Sequence, residues 1–376
     1  MRDEFERNLE SGLHLLAERA PAAPPDLTTR IRARRARAWW WRLLAAALTT
    51  GAVAGTGAIV TAGRSVERVV PPPVTIRPIE QVYPDAVHEV PARLPDGRPY
   101  DVVGMIDRGH ALLGSHRDSR SDRTDGLWSL DLATGSATQL VKVSAPKGTV
   151  VSAWYTAVGE GRLAWWTARR VMGKMTTTFF TAPVTGGEQR AIAEAPGYPL
   201  ALAIDGGRLV WTRSGAGGAY EVPLTGGTPR PIEGTKGLHM VRWPWLGRPG
   251  FRLEDPPNVV HAEIVNALTG ERRTAPAWRA PTSCSVTWCV SRDRVGRRDG
   301  TSMRTMPSWQ HNAPALDRFL LFTSPKSDRF HLLADLATGV TTDLRPDDSP
   351  SLDHLATTLT YRRGDSKVIV DLTAID

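Results

Sequence analysis

The chain has 376 residues, 41% of them hydrophobic and 23% charged, and a formal net charge of +8. Residues 1–42 carry +3 of that charge and the other 334 only +5, so no nucleic-acid-binding surface spreads along the chain. Arginine outnumbers lysine 41 to 6, a skew typical of a GC-rich genome that carries no functional weight.

In residues 1–42, Phe5, Leu9, Leu13 and Leu16 are spaced four, four and three apart, which puts them on one face of a helix from about Arg2 to Ala20. Pro21, Pro24 and Pro25 end it, and Asp26 is placed to cap a second helix. One short helix cannot bury its own stripe, and residues 1–18 are net −3, which opposes an anionic bilayer. The stripe therefore predicts a cytoplasmic protein partner, with a frayed tail as the alternative. Residues 27–42 reverse the sign, with six arginines and no acid, and end in Trp39, Trp40, Trp41 and Arg42.

Leu43 to Gly63 follow, twenty-one residues without a charge. As a helix they span roughly 31 Å, the thickness of a bilayer core. Arginines on one side and tryptophans at the rim predict a single-pass membrane protein, N-terminus in the cytoplasm and everything after Arg64 outside. The rival is a cleaved signal peptide. Its hydrophobic core would be shorter and its charged start far shorter than 42 residues, although the Ala, Gly and Thr content makes insertion only weakly favourable. Pro71, Pro72 and Pro73 stiffen a linker over residues 64–80.

Residues 81–376 are built on a repeat. Thr181-Ala182-Pro183-Val184-Thr185-Gly186-Gly187 returns as Glu221-Val222-Pro223-Leu224-Thr225-Gly226-Gly227. The strand Gly161-Arg162-Leu163-Ala164-Trp165 returns as Gly207-Arg208-Leu209-Val210-Trp211, and Asp131 to Gly135 recurs residue for residue at Asp335 to Gly339. Each copy reads as strand, glycine turn, strand, the form of a β-hairpin. A period of about 41 residues with several short strands per period is the mark of a β-propeller. Hairpins near 131, 183, 223, 266, 305, 335 and 371 give seven blades, with six as the alternative. The fold class is thus an all-β propeller preceded by one transmembrane helix and a short cytoplasmic helical segment. The last copy, starting at Val368, stops before it is complete. Closing the ring therefore requires a strand from within Ala86 to Val103 to pair with Val368 to Val370.

Gly161 to Arg169, the turn Pro223 to Gly227, Leu238-His239 with Trp243-Pro244-Trp245, and Thr287 to Val290 resemble membrane-anchored, TolB-like propeller proteins of actinobacteria. The resemblance implies a propeller outside the cytoplasmic membrane with a protein-binding surface and no catalytic residues. Chains of this layout are often encoded near alternative sigma factors, which implies an anti-sigma-like inner segment and a sigma factor as its partner.

The residues themselves show no catalytic constellation, and neither a metal nor a cofactor is expected. The nine histidines never stand at i, i+4, and there is no G-x-S-x-G elbow. The acidic pairs Glu254-Asp255 and Asp347-Asp348 sit beside prolines and read as solvated turns. Most tryptophans, Trp165, Trp211 and Trp288 among them, fall in strands where blades must pack. Trp243 and Trp245 are the candidates for a ligand surface, because Pro244 interrupts their strand. Cys284 and Cys289 are the only cysteines. On a straight strand they would lie roughly 17 Å apart, so a disulfide requires that Ser285 to Trp288 form a tight loop; bonded and free forms both stay open. The leading function is an external binding module for a protein or peptide, relaying occupancy inward. A propeller enzyme, a hydrolase or lyase working at the central mouth, and a passive envelope scaffold are the alternatives. Clustered acids and histidines in the folded mouth would revive the enzyme.

Overall fold

A short, fully buried run such as Leu209-Val210-Trp211-Thr212, closed on both sides by Gly-rich turns, is too short for a stable helix and extends as a strand with both faces covered. The computed structural model describes residues 76–376 except 117–122, 249–258, 276–281, 292–293, 306–312 and 324–329. The stripe Phe5, Leu9, Leu13, Leu16, the run Leu43 to Gly63 and residues 64–75 of the linker lie outside the described residues. Among those described, no helix is long and apolar enough to cross a membrane.

The described strands form seven sheets, the blades of a propeller. Blade 1 is Tyr100–Asp107, His110–His116, Thr124–Asp131 and Ala137–Lys142. Blade 2 is Thr149–Gly159, Arg162–Val171, Lys174–Pro183 and Arg190–Pro196. Blade 3 is Pro199–Asp205, Arg208–Arg213, Ala219–Pro223 and Arg230–Pro231. Blade 4 is His239–Arg242, Trp245–Gly247, Glu263–Asn266 and Arg272–Thr274. Blade 5 is Thr282–Cys284, Trp288–Ser291, Arg294–Arg297 and Arg304–Thr305, with Val259–Val260 added parallel to its first strand. Blade 6 is Phe319–Thr323, Phe330–Asp335 and Thr341–Asp343, and blade 7 begins with Ser351–Leu352, Thr358–Arg363 and Ser366–Asp371. The expected count of seven holds: the Asp131 to Gly135 turn and the two Thr-Gly-Gly turns lead into the outer strands of blades 1, 2 and 3, and the Asp335 to Gly339 turn joins Phe330–Asp335 to Thr341–Asp343.

Blade 7 is completed by the other end of the domain. Val87–Pro91 pairs antiparallel with Ser366–Asp371, Val87 opposite Val370 and Glu89 opposite Val368. This is the closure required by the truncated last repeat. Val90 from the incoming strand and Ile369 from its partner share one apolar cluster with Tyr100, Leu113 and Trp128 of blade 1, so the clasp also seals the seam between blades 7 and 1.

Every seam is filled by side chains from two neighbouring sheets. Trp165 packs with Leu112, Leu127 and Val141 of blade 1, while the next residue, Trp166, packs with Leu209 and Trp211 of blade 3. Successive residues of a strand point to opposite faces, so one Trp-Trp pair wedges two seams. The seam between blades 4 and 5 is thinner, holding Ala275, Cys284 and Cys289. There Arg298, 4% exposed, donates to the carbonyls of His261 and Ala262 in blade 4 and of Ser285 and Val286 in blade 5, replacing absent apolar volume with hydrogen bonds. Cys284 and Cys289 face each other across a hairpin at a Cα separation of 4.0 Å and are bonded, with Ser285 to Trp288 as the tight loop.

Two expected boundaries shift. The linker does not reach residue 80: Arg77–Pro78 pairs parallel with Thr342 and Asp343, and Ile79 is fully buried against blades 6 and 7. An apolar residue beside a sheet edge with unpaired backbone groups joins the sheet rather than staying in solvent. In blade 5 the turn lies at Arg297 to Thr301, and Arg304–Thr305, expected as the turn, is the outer strand.

Two stability outcomes follow. Ile369→Ala, at a fully buried clasp position, lowers the unfolding free energy by about 3 kcal/mol in urea titration, whereas Met172→Ala, 98% exposed, stays within about 0.5 kcal/mol of the parent. Replacing both Cys284 and Cys289 by Ser costs about 2 kcal/mol, the chain-entropy value for so small a loop, and alkylation of the parent requires unfolding as well as reduction because both sulfurs are buried.

Candidate functional site

First strands of blades 1, 2, 3, 4 and 7 line a channel made of two cavities that share His354. The larger, about 410 Å³, is bordered by Tyr155, Leu200, Leu202, Met240, Trp243 and His354. The other, about 370 Å³, is polar and bordered by Asp101, His116, Thr124, Ser351, Asp353 and Thr360. The Tyr155 and His354 rings meet at 4.3 Å between centroids, tilted by 59°, where the two halves join.

Strand ends position the apolar half. Trp243 follows the first strand of blade 4, and Pro244, which cannot continue the ladder, ends that strand and is joined to Trp243 by a cis bond. The indole is half-buried in the cavity wall, with Nε1 donating to Asp205 Oδ2 at 3.0 Å. Arg242 reaches from blade 4 to the Leu316 carbonyl of blade 6 (2.9 Å), crossing one end of the cavity. Trp245 does not border the channel. It opens the second strand, and Arg273 lies over its ring at 4.4 Å. The structure thus separates the two tryptophans that the sequence grouped.

The polar half gathers residues far apart in the chain. Asp101 Oδ2 and His116 Nε2 are 3.0 Å apart on adjacent strands of blade 1, and this hydrogen bond holds the Asp101 carboxyl below the usual carboxylate range. His116 is 5% exposed, and its Nδ1 is buried without a hydrogen-bond partner. Burial pushes the Asp353 carboxyl up, while donors from Leu355, Thr357 and Thr358 crowd its two oxygens at 2.5 to 3.2 Å. Its capacity is spent tying the loop that carries His354, so its role is to shape the channel. Burial also holds His354 below its ordinary range against the pull of Asp353 and Asp101. The Lys367 amine, pushed down by burial, donates to the Tyr100 carbonyl at 2.7 Å.

Chemically, the channel offers aromatic and aliphatic walls at one end and a hydrogen-bonding surface at the other. Asp101 and His116 form a hydrogen-bonded acid–base couple within it. Among the described residues no three His, Cys, Asp or Glu side chains converge as a metal site requires. The sequence did not mark Asp101, His116, Asp353 or His354. The available signal was the Asp353 to Thr358 stretch, where an Asp followed by His-Leu-Ala-Thr-Thr reads as a capped loop.

No protein-family model matches the chain, and no curated protein does. Solved structures similar to it include the protein assigned as TolB from Agrobacterium tumefaciens, at 15% identity over 68% of this chain and 79% of that one, with a TM-score of 0.27. A nidogen/laminin complex matches at 11% identity over 76% of this chain and 99% of the other, TM-score 0.33. A prolyl endopeptidase matches at 12% over 69%, TM-score 0.40, and this chain spans 42% of that one. Likenesses this low say nothing about activity, and the seven-bladed ring stands on its own strand pairing.

Buried histidines make the fold sensitive to acid. Burial lowers His261 from 6.5 to about 4 and also lowers His88, His239 and His354. Between these values the unfolded chain binds protons that the folded chain refuses, so stability is full above pH 6.5 and falls as pH drops toward 4. Melting temperature measured across that window falls with pH, and His261→Gln flattens the slope.

Proposed function

We propose that this protein is a single-pass membrane protein whose extracytoplasmic propeller is a binding module, holding a peptide or protein segment in its axial channel and relaying occupancy to a cytoplasmic partner at Phe5, Leu9, Leu13 and Leu16. The observation that carries the binding reading is the channel itself. An apolar half walled by Tyr155, Met240 and Trp243 meets a polar half carrying Asp101 and His116, the pairing of surfaces that an extended peptide with both kinds of side chain requires. The Arg-rich entry, the rim tryptophans and the uncharged run support the anchor. The relay rests on the unpartnered helical stripe and on the resemblance to chains encoded near sigma factors.

A photo-crosslinker at Leu200, 41% exposed beside the cavity, captures an envelope peptide or protein, and Trp243→Ala lowers that capture at least fivefold without loss of fold. Equal capture by the variant removes the channel from the reading. Capture of a sigma factor by residues 1–42, abolished by Leu9→Asp with Leu13→Asp, tests the relay; unchanged function after deletion of residues 2–25 leaves a passive scaffold.

A second reading rests on the Asp101 and His116 pair. A carboxylate hydrogen-bonded to an imidazole at the wall of a polar cavity is a pairing from which a general base can work, and the folded mouth does gather acids and histidines. On this reading the protein is a hydrolase or lyase. Turnover of ester, lactone or peptide substrates, lost in His116→Gln with the fold retained, would establish it.

A further inference from the structure

The charge beyond residue 42 is concentrated in one region. Residues 239–305, which contain blades 4 and 5, hold eleven arginines against six acids, a net +5 that equals the whole net charge of residues 43–376. Between the outer strand of blade 4 and the last hairpin of blade 5 lies a groove of about 410 Å³ bordered by Arg273, Thr274, Thr287, Arg297, Arg298 and Asp299. Arg298 is committed to four backbone carbonyls, and Asp299 is turned toward the amide and hydroxyl of Thr301 at 2.9 and 2.6 Å. Arg273 gives its Nε to Glu271 at 2.8 Å. Arg297 and Arg304 flank the Trp288 ring at 5.7 and 5.8 Å, and neither forms an ion pair with a described residue.

The turn Arg297 to Thr301, which borders the groove, joins the third strand of blade 5 to its outer strand. Arg77–Pro78 runs parallel to Thr341–Asp343, so Ile76 lies at the end of blade 6 marked by the turn Asp335 to Gly339. A Cβ on Gly339 would stand 3.5 Å from Arg304 Nη1, which places that turn beside the outer strand of blade 5.

We propose that the arginine-lined groove between blades 4 and 5 binds the phosphate of anionic lipid headgroups and holds this edge of the propeller on the bilayer. The inference rests on the anchored reading above. Guanidinium groups bind phosphate oxygens in paired hydrogen bonds, the Thr274 and Thr287 hydroxyls add neutral donors, and an anionic leaflet attracts arginines within a Debye length of its surface.

The test uses the full chain in nanodiscs of phosphatidylcholine, with or without one-third phosphatidylglycerol, with a donor dye on Ser302→Cys and acceptors on the headgroups. Energy transfer rises with the anionic lipid, falls in high salt, and the docked-to-free ratio drops roughly fivefold for each of Arg273→Gln and Arg297→Gln. Arg170→Gln, in a hairpin of the opposite face, leaves it unchanged. Transfer indifferent to phosphatidylglycerol or to both groove substitutions overturns the proposal. Loss of transfer on adding inorganic phosphate at constant ionic strength makes free phosphate the ligand and overturns the lipid assignment. Carbonate extraction of the chain from membranes refutes the anchor alone; co-sedimentation of added chain with vesicles of the same two compositions then decides the groove by the same fivefold losses.

Discussion

A four-stranded blade carries apolar side chains on both faces, and each face has to be covered by another blade. That constraint leaves only a closed ring, because an open stack would leave two bare faces and two unpaired edges. Here closure depends on the pairing of Val87–Pro91 with Ser366–Asp371. Without it, Val368 and Ile369 would lose their edge partner, and the seam between blades 7 and 1 would lose Val90. The axial channel exists because the ring closes, and the orientation of every first strand follows from it.

The seams are not equal. Blades 1 to 3 are wedged by large aromatics, Trp165, Trp166, Phe179 and Trp211, all at most 1% exposed. Blades 4 and 5 instead meet over small residues, a disulfide and a buried guanidinium. The same two blades carry the excess arginine of the sequence beyond residue 42. The lipid-facing reading of their groove and the ligand-binding reading of the channel concern separate parts of the ring.

The fold was legible in the sequence to the extent that it repeats. Hairpins at Asp131, Pro183, Pro223, Asn266 and Asp335 fall where the turn motifs put them, because glycine at positive φ is a local requirement that local sequence must meet. Blade 5 was misplaced by a few residues, since its turn lacks the Thr-Gly signature. Arg77–Pro78 was missed because two residues joining a sheet edge leave no periodic trace. Trp243 was legible through Pro244, a breaker inside a strand.

From the sequence alone came the charge split, the uncharged run, the repeat period and the need for a strand from the far end of the domain, all properties of neighbouring or periodic residues. Only the tertiary structure decided that Asp101, His116 and His354 share one channel, that Trp245 turns away from Trp243, and that Cys284 and Cys289 face each other across a hairpin. The reason is physical. Strand spacing tells which face a side chain takes, but which face meets which depends on ring closure, and that brings together residues up to 253 positions apart.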